Sequence, residues 1–442
     1  MVNVYDLVLK GGTVVNHDGL GSCDIGIVGT RIAHLGTIPS NAAGEVLDVT
    51  GLHILPGVID TQVHFREPGM EHKENLETGS RAAVLGGVTA VFEMPNTSPT
   101  TTDPDALADK ISRARDRMFC DFAFYVGGTR ENIEDLPELE RLEGAAGIKV
   151  FIGSSTGDLL VDDDEGLKNI LSKINRRAAF HSEDEGRLRE RENERLQDDP
   201  SSHSVWRDHI AAMRSTEKLV SFAREAGKRI HVLHISTAQE MLFLAEHRDV
   251  ASVEVTPQHL TLVTPEAYDT LGTKAQMNPP LRDASHQDKL WWGLQNGVVD
   301  VLGSDHAPHT LEEKSKAYPQ SPSGMPGVQT LVPIMLDHVN AGRLSLERFV
   351  DLTSHGPQRL FNIAGKGRIA VGYDADFTIV DMKKTKMIAN DDMGSLCGWT
   401  PFHGKKVTGV PIGTFVRGRK VMWADEILGQ ATGQPVRFLE VL

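Results

Sequence analysis

The sequence is poor in cysteine, in long apolar runs, and in basic residues relative to acidic ones. Its 3 cysteines, Cys23, Cys120 and Cys397, lie far apart and form no CxxC pair. They give no support for a disulfide framework and suit a reducing cytosol. No apolar run approaches the roughly 18 residues of a membrane span, and the N-terminus lacks a basic region followed by a long apolar core. We therefore expect a cytoplasmic protein without a membrane segment or a signal peptide.

Acidic residues outnumber basic ones by 61 to 46, which gives a formal net charge of -15. This surplus argues against nucleic acid or an anionic membrane surface as a partner. It leaves a small-molecule substrate open, because the local charge of a pocket can oppose that of the whole chain. The 442 residues, 40% hydrophobic and 24% charged, fit a soluble protein with one large domain and one smaller domain.

The hydrophobic pattern divides the chain into three regions. Residues 4–52 and 368–422 are typical of short strands separated by Gly and Asn or Asp turns. Between them, strands alternate with helical stretches such as "LETGSRAAVLGG" and "TEKLVSFAREAGK", the second with Gly227 where a C-cap belongs. The pattern predicts eight strands here, at "HILPGVID", "TAVFEMPN", "DFAFYVGG", "GIKVFIGS", "AAFHSED", "RIHVLHIS", "SVEVTP" and "VVDVLGSD".

This alternation predicts an α/β fold, a (β/α)8 TIM barrel over residues 53–367. The flanking segments, 1–52 plus 368–442, are predicted to form a small β-sandwich domain built from both termini. The alternative is an open doubly wound sheet, which would carry its ligand at one switch point rather than at many strand ends.

Metal-competent side chains stand at the predicted carboxyl ends of strands one, five, six and eight: His64, His181, His234 and Asp305. A lone strand-end histidine is more often structural than a ligand. Four such residues, together with a lysine on strand four, are hard to obtain by chance. Chemistry in a barrel lies at these strand ends, and imidazole with carboxylate suits zinc.

The strand-four lysine, Lys149, lies in the apolar segment "GIKVFIG". In one interpretation it lays its stem along the strand and extends its amine to water. In the other, the amine is neutral, reacts with CO₂ and becomes a carbamate that bridges two metals. Lys149 taken alone favours the first interpretation. Beside His181 and His234 we favour the carbamate.

Five motifs together carry a family resemblance: "HFREPG", "ETGSRAAVLGGVTAVFEMPNT", "NPPLR", "DHAPHTLEEK" and "GWTPF". Over nearly its whole length the chain resembles the dihydroorotases of the amidohydrolase superfamily. The resemblance implies a metal-bearing (β/α)8 barrel with a β-sandwich made from both termini, in agreement with the periodicity. It also implies the small-molecule substrate dihydroorotate, with N-carbamoyl-aspartate as product, in pyrimidine biosynthesis. We further expect a homo-oligomer.

By the same resemblance, Arg66, Asn96 and His309 would bind the substrate carboxylate and Asn278 would contact the pyrimidine ring. A planar guanidinium matches a carboxylate in bidentate fashion. Other interpretations stay open: an ion pair of Arg66 with Glu67 or another acid, a turn role for Asn96, and a loop role for Asn278 ahead of two prolines.

The implied mechanism is metal-assisted hydrolysis of a cyclic amide. Asp305, in "GSDHAPH", would accept the proton of the attacking water and return it to the leaving nitrogen. The alternative role for Asp305 is that of a ligand or helix cap only.

Two glutamines depart from the family pattern. Gln62 replaces the first histidine of the strand-one pair, and Gln258 stands in "VTPQHL" where many relatives carry histidine. A glutamine amide oxygen is a weak, neutral ligand, so the site of His64 and Asp305 should suffer. We expect one tight zinc at Lys149, with a second, weak site beside it.

Two alternative functions remain: a non-catalytic dihydroorotase-like subunit that supports another pyrimidine enzyme, and an amidohydrolase acting on another cyclic ureide. The charged segment 183–214 is interpreted as a solvated loop and helix.

Overall fold

The computed structural model describes residues 4–153 and 159–441. The strands ahead of the central barrel are β1 (Tyr5–Lys10), β2 (Thr13–Asn16), β3 (Gly19–Ser22), β4 (Asp24–Val28), β5 (Arg31–Gly36), β6 (Ala43–Asp48) and β7 (His53–Pro56). The barrel strands are β8 (Val58–Val63), β9 (Val88–Glu93), β10 (Asp121–Gly127), β11 (Ala145–Phe151), β12 (Ala178–His181), β13 (Ile230–Val232), β14 (Ala251–Val255) and β15 (Val301–Leu302). The strands after it are β16 (Phe377–Met387), β17 (Lys406–Val416), β18 (Arg419–Trp423) and β19 (Glu426–Ile427).

The helices of the described ranges lie mainly between the barrel strands. They are α1 (Leu76–Leu85), α2 (Pro104–Ala114), α3 (Leu136–Leu139), α4 (Asp164–Lys173), α5 (Glu185–Glu190), α6 (Ser202–Trp206), α7 (His209–Glu225), α8 (Ala238–Ala245), α9 (Pro257–Thr261), α10 (Glu266–Leu271), α11 (Ala284–Gln295), α12 (Leu311–Lys314), α13 (Leu331–Asn340), α14 (Leu346–Val350) and α15 (Gly356–Phe361). Within these ranges, none of the helices has the length and apolar character needed to cross a bilayer.

Strands β8 to β15 form one sheet in chain order, with parallel pairing throughout. The sheet closes on itself, because Val63 bridges His306 and the N–H of His64 donates to the carbonyl of His306 over 2.7 Å. Closure excludes the open doubly wound sheet and confirms the predicted (β/α)8 barrel. Each of the eight barrel strands overlaps its predicted segment, but the first segment, "HILPGVID", also takes in β7, which belongs to another sheet. Ser154, the last residue of the fourth predicted segment, lies outside the described residues.

Every residue of β8, β9, β10 and β11 is buried. Burial on both faces is typical of parallel strands covered by helices, and it explains their near-continuous apolar sequences. The covering helices carry local start and stop signals. Asp208 caps α7 by accepting the N–H of Ala211, and Gly227 follows its end with φ at +64°.

Two further sheets form the predicted β-sandwich. One has the order β5-β4-β1-β6, and the other has the order β19-β18-β17-β16-β7-β2-β3, which mixes strands from both chain ends. Side chains of both sheets share one apolar core that includes Leu9, Ile27, Ile54, Phe377 and Phe415. The sandwich therefore holds the two ends of the chain together beside the barrel.

The domain ranges, 1–52 plus 368–442 and 53–367, stay a proposal. Strand β7 falls inside the second range, yet it pairs with β2 and β16 in the seven-stranded sheet. It leads directly into β8, so one short stretch of backbone connects the sandwich with the first barrel strand.

The interpretation of segment 183–214 as a solvated loop and helix is wrong in part. Glu183, His203 and Arg207 are buried, although most of the charged side chains around them are exposed or half-buried. Helices α5 and α6 fold this segment back over the carboxyl ends of the strands. Its inner side chains consequently belong to the surroundings of the polar cavity there.

Candidate metal centre and substrate cavity

A cavity of about 270 Å³ opens at the carboxyl ends of the barrel strands. It brings together all nine residues that the sequence singled out for metal or substrate, in addition to Gln62. They are His64, Arg66, Asn96, Lys149, His181, His234, Asn278, Asp305 and His309. The convergence follows from the fold, because parallel barrel strands end at one face.

Two histidines and a lysine form one half of the centre. His181 Nδ1 and His234 Nε2 face each other across 3.0 Å. Lys149 lies beside them on β11; it is 1% exposed, and its Nζ has no hydrogen-bond partner among the described residues. Burial lowers the pKa of Lys149 to about 7. The interpretation in which the amine reaches water is therefore excluded. A substantial fraction of the Lys149 amine is neutral, and so reactive, near neutral pH.

The other half is built from strands one and eight. His64 Nδ1 donates to Asn96 Oδ1 over 2.7 Å, which leaves His64 Nε2 facing Asp305 Oδ1 at 3.3 Å. Gln62 Nε2 donates to the same Asp305 oxygen over 3.0 Å. Gln62 Oε1 is buried and has no partner among the described residues. Asn96 thus orients a histidine as well as lining the cavity.

Asp305 is held as a carboxylate. Burial alone would raise its pKa, but the imidazoles of His64 and His234 beside it outweigh burial, so the pKa lies well below its usual range. An ionised, oriented carboxylate is the form required of a proton acceptor.

The side chains of this cavity can provide enough donors for a metal ion only if Lys149 is one of the ligands. Within residues 4–153 and 159–441, no three His, Cys, Asp or Glu side chains are grouped so that they could hold a metal ion. The cavity explains why, since His181 with His234 and His64 with Asp305 supply two such donors each. A carbamate on Lys149 would bring each pair to three donors, and the unpartnered Nζ of Lys149 and Oε1 of Gln62 are consistent with that set.

Backbone strain concentrates at this site. Arg66, His234 and Asp305 have φ values of +65°, +36° and +43°. Residues other than glycine rarely adopt positive φ, and such strain persists where the surrounding structure enforces it, commonly at functional sites. Three of the nine singled-out residues are held in this way.

Arg66 is buried in the cavity wall without an acidic partner. Its Nε donates to the carbonyl of Pro308 over 3.2 Å, and its Nη2 lies 3.3 Å from His309 Nε2. Glu67 pairs instead with Arg117 at 2.7 Å, which excludes the Arg66–Glu67 ion pair. Among the described residues, no carboxylate lies within 4 Å of the Arg66 guanidinium.

Hydrogen bonds from surrounding segments orient two further residues of the cavity, Asn278 and His309. Asn278 Oδ1 accepts a hydrogen bond from His203 Nε2 over 3.0 Å, so α6 orients the asparagine. His309 Nε2 donates to the carbonyl of Ser323 over 3.0 Å, and its Nδ1 lies 3.2 Å from Lys73 Nζ. Burial and the nearby cations Arg66 and Lys73 hold the pKa of His309 well below its ordinary value. This imidazole is therefore neutral.

Two buried residues beside the centre, Glu183 and Arg207, were not predicted from the sequence. Glu183 Oε2 accepts from His181 Nε2 over 2.8 Å, and Arg207 clamps the same carboxylate with contacts of 2.7 and 3.1 Å. Burial would raise the pKa of Glu183, but Arg207 and His181 hold it far below its usual range. The available signal was the acid two residues after the strand-end histidine in "HSED".

Gln258, the second departure from the family pattern, does not line the cavity. Its Nε2 donates to the carbonyl of Ser304 over 2.7 Å. It therefore supports the backbone beside Asp305.

The chain is similar to known proteins over nearly its whole length. Residues 53–421 match the amidohydrolase family. The chain is 36% identical to a dihydroorotase from Methanosarcina mazei over 98% of both chains. It is 37% identical to a dihydroorotase from Halobacterium salinarum, over 94% of this chain and 96% of the relative. The solved L-hydantoinase (dihydropyrimidinase) from Arthrobacter aurescens superposes with a TM-score of 0.94 and 30% identity, over 98% of this chain and 99% of that one.

Proposed function

The chain belongs to the amidohydrolase family, and on that premise we propose that it is a dihydroorotase. The proposed reaction is the reversible hydrolysis of dihydroorotate to N-carbamoyl-L-aspartate, in pyrimidine biosynthesis. The observation that carries the proposal is the buried Arg66 guanidinium, which has no carboxylate within 4 Å among the described residues and lines the same cavity as Asp305. Dihydroorotate is a cyclic amide that bears a carboxylate, so it supplies the missing partner. The expected cytoplasmic location and homo-oligomer belong to this proposal.

Zinc is the proposed metal. Lys149 as a carbamate, His181 and His234 would hold the tight ion, while His64, Asp305 and the weak donor Gln62 would hold a second ion less firmly. When bound, the metal supplies the Lewis acidity that activates water and polarises a carbonyl.

Asp305 moves the proton in this proposal. Its low pKa keeps it ionised, so it can accept a proton from the attacking water. The same carboxyl group then delivers that proton to the ring nitrogen as the amide bond breaks. Gln62 and His64 both contact Asp305 Oδ1, which fixes the orientation of the carboxylate during both transfers.

Substrate orientation is assigned to four side chains that line the cavity. Arg66 would bind the carboxylate in bidentate fashion, with Asn96 and His309 completing the carboxylate pocket. Asn278 would contact the ring, and its link to His203 keeps its amide from rotating. The cavity of about 270 Å³ suits a substrate of one small ring.

Two other functions are each supported by one observation. The likeness to an L-hydantoinase favours hydrolysis of another cyclic ureide. The presence of Gln62 in place of a histidine favours a non-catalytic subunit that supports another pyrimidine enzyme.

One experiment separates the three functions. Purified protein is loaded with zinc and bicarbonate, its metal content is determined by elemental analysis, and it is assayed with dihydroorotate, N-carbamoyl-aspartate, hydantoin and allantoin. Interconversion of the first two compounds supports the proposal. Preferential turnover of hydantoin or allantoin supports another ureide, and metal-loaded protein without turnover supports the non-catalytic subunit.

The variant Asp305→Asn tests the proton-transfer role. It should keep the fold and most of the metal but lose turnover by about 10²–10⁴-fold, because an amide cannot accept the water proton. A metal-loaded variant with the unmodified rate would contradict the role of Asp305.

A further inference from the structure

A second cavity, of about 420 Å³, lies at the opposite end of the barrel from the proposed active site. Its walls come from the segments that lead into β11, β12 and β13 and from the end of α15. Five cationic side chains line it, with a single carboxylate: Arg176, Arg177, Lys228, Arg229, Arg359 and Glu440. This concentration of positive charge is unexpected in a chain of net charge -15.

Only two of the five cations have acidic partners. Arg176 pairs with Glu440 at 2.9 Å, and Arg359 lies 3.6 Å from Asp351. The remaining three, Arg177, Lys228 and Arg229, have no carboxylate within 4 Å among the residues that the structure describes. Unpaired cations around a concave surface attract anions, since the low-dielectric walls concentrate the field.

Arg177 is the fixed member of this group. Its Nη1 donates to the carbonyl of Ile230 over 3.1 Å and to Ser252 Oγ over 3.0 Å, which anchors the guanidinium at the amino-terminal mouth of the barrel. Burial, together with the nearby charge of Arg229, lowers the pKa of Arg177 to about 10. The folded protein thus holds this cation against repulsion from a neighbour, and an anion in the cavity would relieve that repulsion.

Helix dipoles account for only part of the cluster. Cations often lie near helix carboxyl ends, and Lys228 and Arg229 follow α7 while Arg359 lies in the last turn of α15. Arg177 does not fit this explanation, because it lies at the start of β12 and its hydrogen bonds point to the strands. Helix dipoles also do not explain why these cations surround a cavity large enough for a ligand.

We propose that this cavity binds a small molecule bearing phosphate groups. Three unpaired cations match a ligand with more than one negative charge, and guanidinium groups bind phosphate oxygens in bidentate fashion. Ala146, Leu360 and Phe361 also line the cavity, so an organic group attached to the phosphates would have apolar contacts. The cavity volume lies within the range usual for small-ligand sites.

The test uses the metal-loaded full chain and three probes: orthophosphate, pyrophosphate and ATP. Binding is measured by calorimetry for the unmodified protein and for the double variant Lys228→Gln/Arg229→Gln. The matched control is Lys383→Gln/Lys384→Gln, an adjacent exposed pair without ion pairs among the described residues on β16. Both double variants change the net charge equally, and neither touches the proposed active site.

We expect pyrophosphate to bind the unmodified protein and the control alike. The dissociation constant should rise about tenfold or more in Lys228→Gln/Arg229→Gln, since two charged hydrogen-bond donors are lost. If pyrophosphate and ATP bind with equal affinity, the site recognises the phosphates alone. If ATP binds more tightly, the site also contacts the organic group. Both results support the site.

Three outcomes would overturn the proposal. They are no measurable binding of any probe, equal weakening in both double variants, and binding that neither double variant weakens. The second would indicate an adventitious ion only, and the third would place the phosphate elsewhere, such as at the metal. Because no substrate turnover is measured, the result is independent of the proposed dihydroorotase activity.

Discussion

Replacing Glu183 by glutamine should weaken zinc binding although Glu183 is not itself a proposed ligand. Its Oε2 lies 2.8 Å from His181 Nε2 and fixes the imidazole with the other nitrogen, Nδ1, towards His234. A carboxylate in this position sets the tautomer and raises the basicity of the ligating nitrogen. Glutamine keeps an oxygen acceptor but loses the charge that acts on the imidazole.

The expected loss of zinc affinity is about 10–100-fold, the usual effect of removing such a partner. This corresponds to roughly 1.4–2.7 kcal/mol of binding free energy. A second effect is expected on the fold, because the Arg207 side chain is only 4% exposed and would lose its carboxylate. Breaking a buried ion pair from one side destabilises a protein by about 3–5 kcal/mol.

The two effects are separated by measuring zinc affinity in competition with a chelator, alongside the melting temperature. The matched control is Glu140→Gln, since Glu140 is equally buried and accepts the N–H groups of Asn175 and Arg176 far from any proposed ligand. Both variants should have a lower melting temperature than the unmodified protein, but only Glu183→Gln should bind zinc weakly. The double variant Glu183→Gln/Arg207→Leu removes both charges, so it should regain stability and still bind zinc weakly. Unchanged zinc affinity in folded Glu183→Gln protein would show that Glu183 does not support the ligating imidazole of His181.

Three further predictions concern substrate, metal and pH. Arg66→Lys should raise KM for dihydroorotate and leave metal content unchanged, because lysine keeps the charge but loses the two-pronged geometry; unchanged kinetics would exclude Arg66 as the carboxylate clamp. As purified, the chain should hold nearer one metal than two, and Gln62→His should raise occupancy in elemental analysis and in a metal-edge anomalous map; two full sites in the unmodified protein would contradict this. Burial raises the pKa of Glu240 to about 7, so its contribution to stability is complete below about pH 4.5 and is lost as the pH rises to 7. Glu240→Gln should therefore raise the unfolding free energy by up to about 3 kcal/mol at pH 8 and leave it unchanged at pH 4; an unfolding free energy at pH 8 that is the same in the variant and the unmodified protein would show that the fold does not raise the pKa of Glu240.

The barrel and most of its cavity could be predicted because they follow from local patterns. Eight apolar strand segments define the barrel, and their carboxyl ends converge whatever the packing of the helices outside. His64, Lys149 and Asp305 each stand directly at such an end, so their proximity needed no long-range information. The strand-end rule therefore found the metal-competent residues of the cavity, whereas Arg66, Asn278 and His309 were expected only from the family resemblance.

The support around these residues could not be predicted in the same way. Arg207 reaches Glu183, and His203 reaches Asn278 across 75 positions of the chain. A run of acidic and basic residues usually indicates a solvated face, and only the packing of α5 and α6 decides which of its members turn inward. The reactivity of the Lys149 amine also depends on the tertiary structure, because burial in the fold is what lowers its pKa.

The substitution at position 62 makes the metal centre depend on the lysine. If position 62 were a histidine, it would form three conventional metal donors together with His64 and Asp305, and no modified residue would be needed. With Gln62 present, neither half of the centre has more than two, and the described residues accordingly contain no group of three. Under the proposed function, carbamylation of Lys149 and metal binding are then one linked equilibrium: each ion needs the carbamate as its third strong ligand, and the carbamate needs a cation because its charge is buried. The near-neutral pKa of Lys149 makes the first step accessible at physiological pH, since the unprotonated amine is the form that reacts with CO₂.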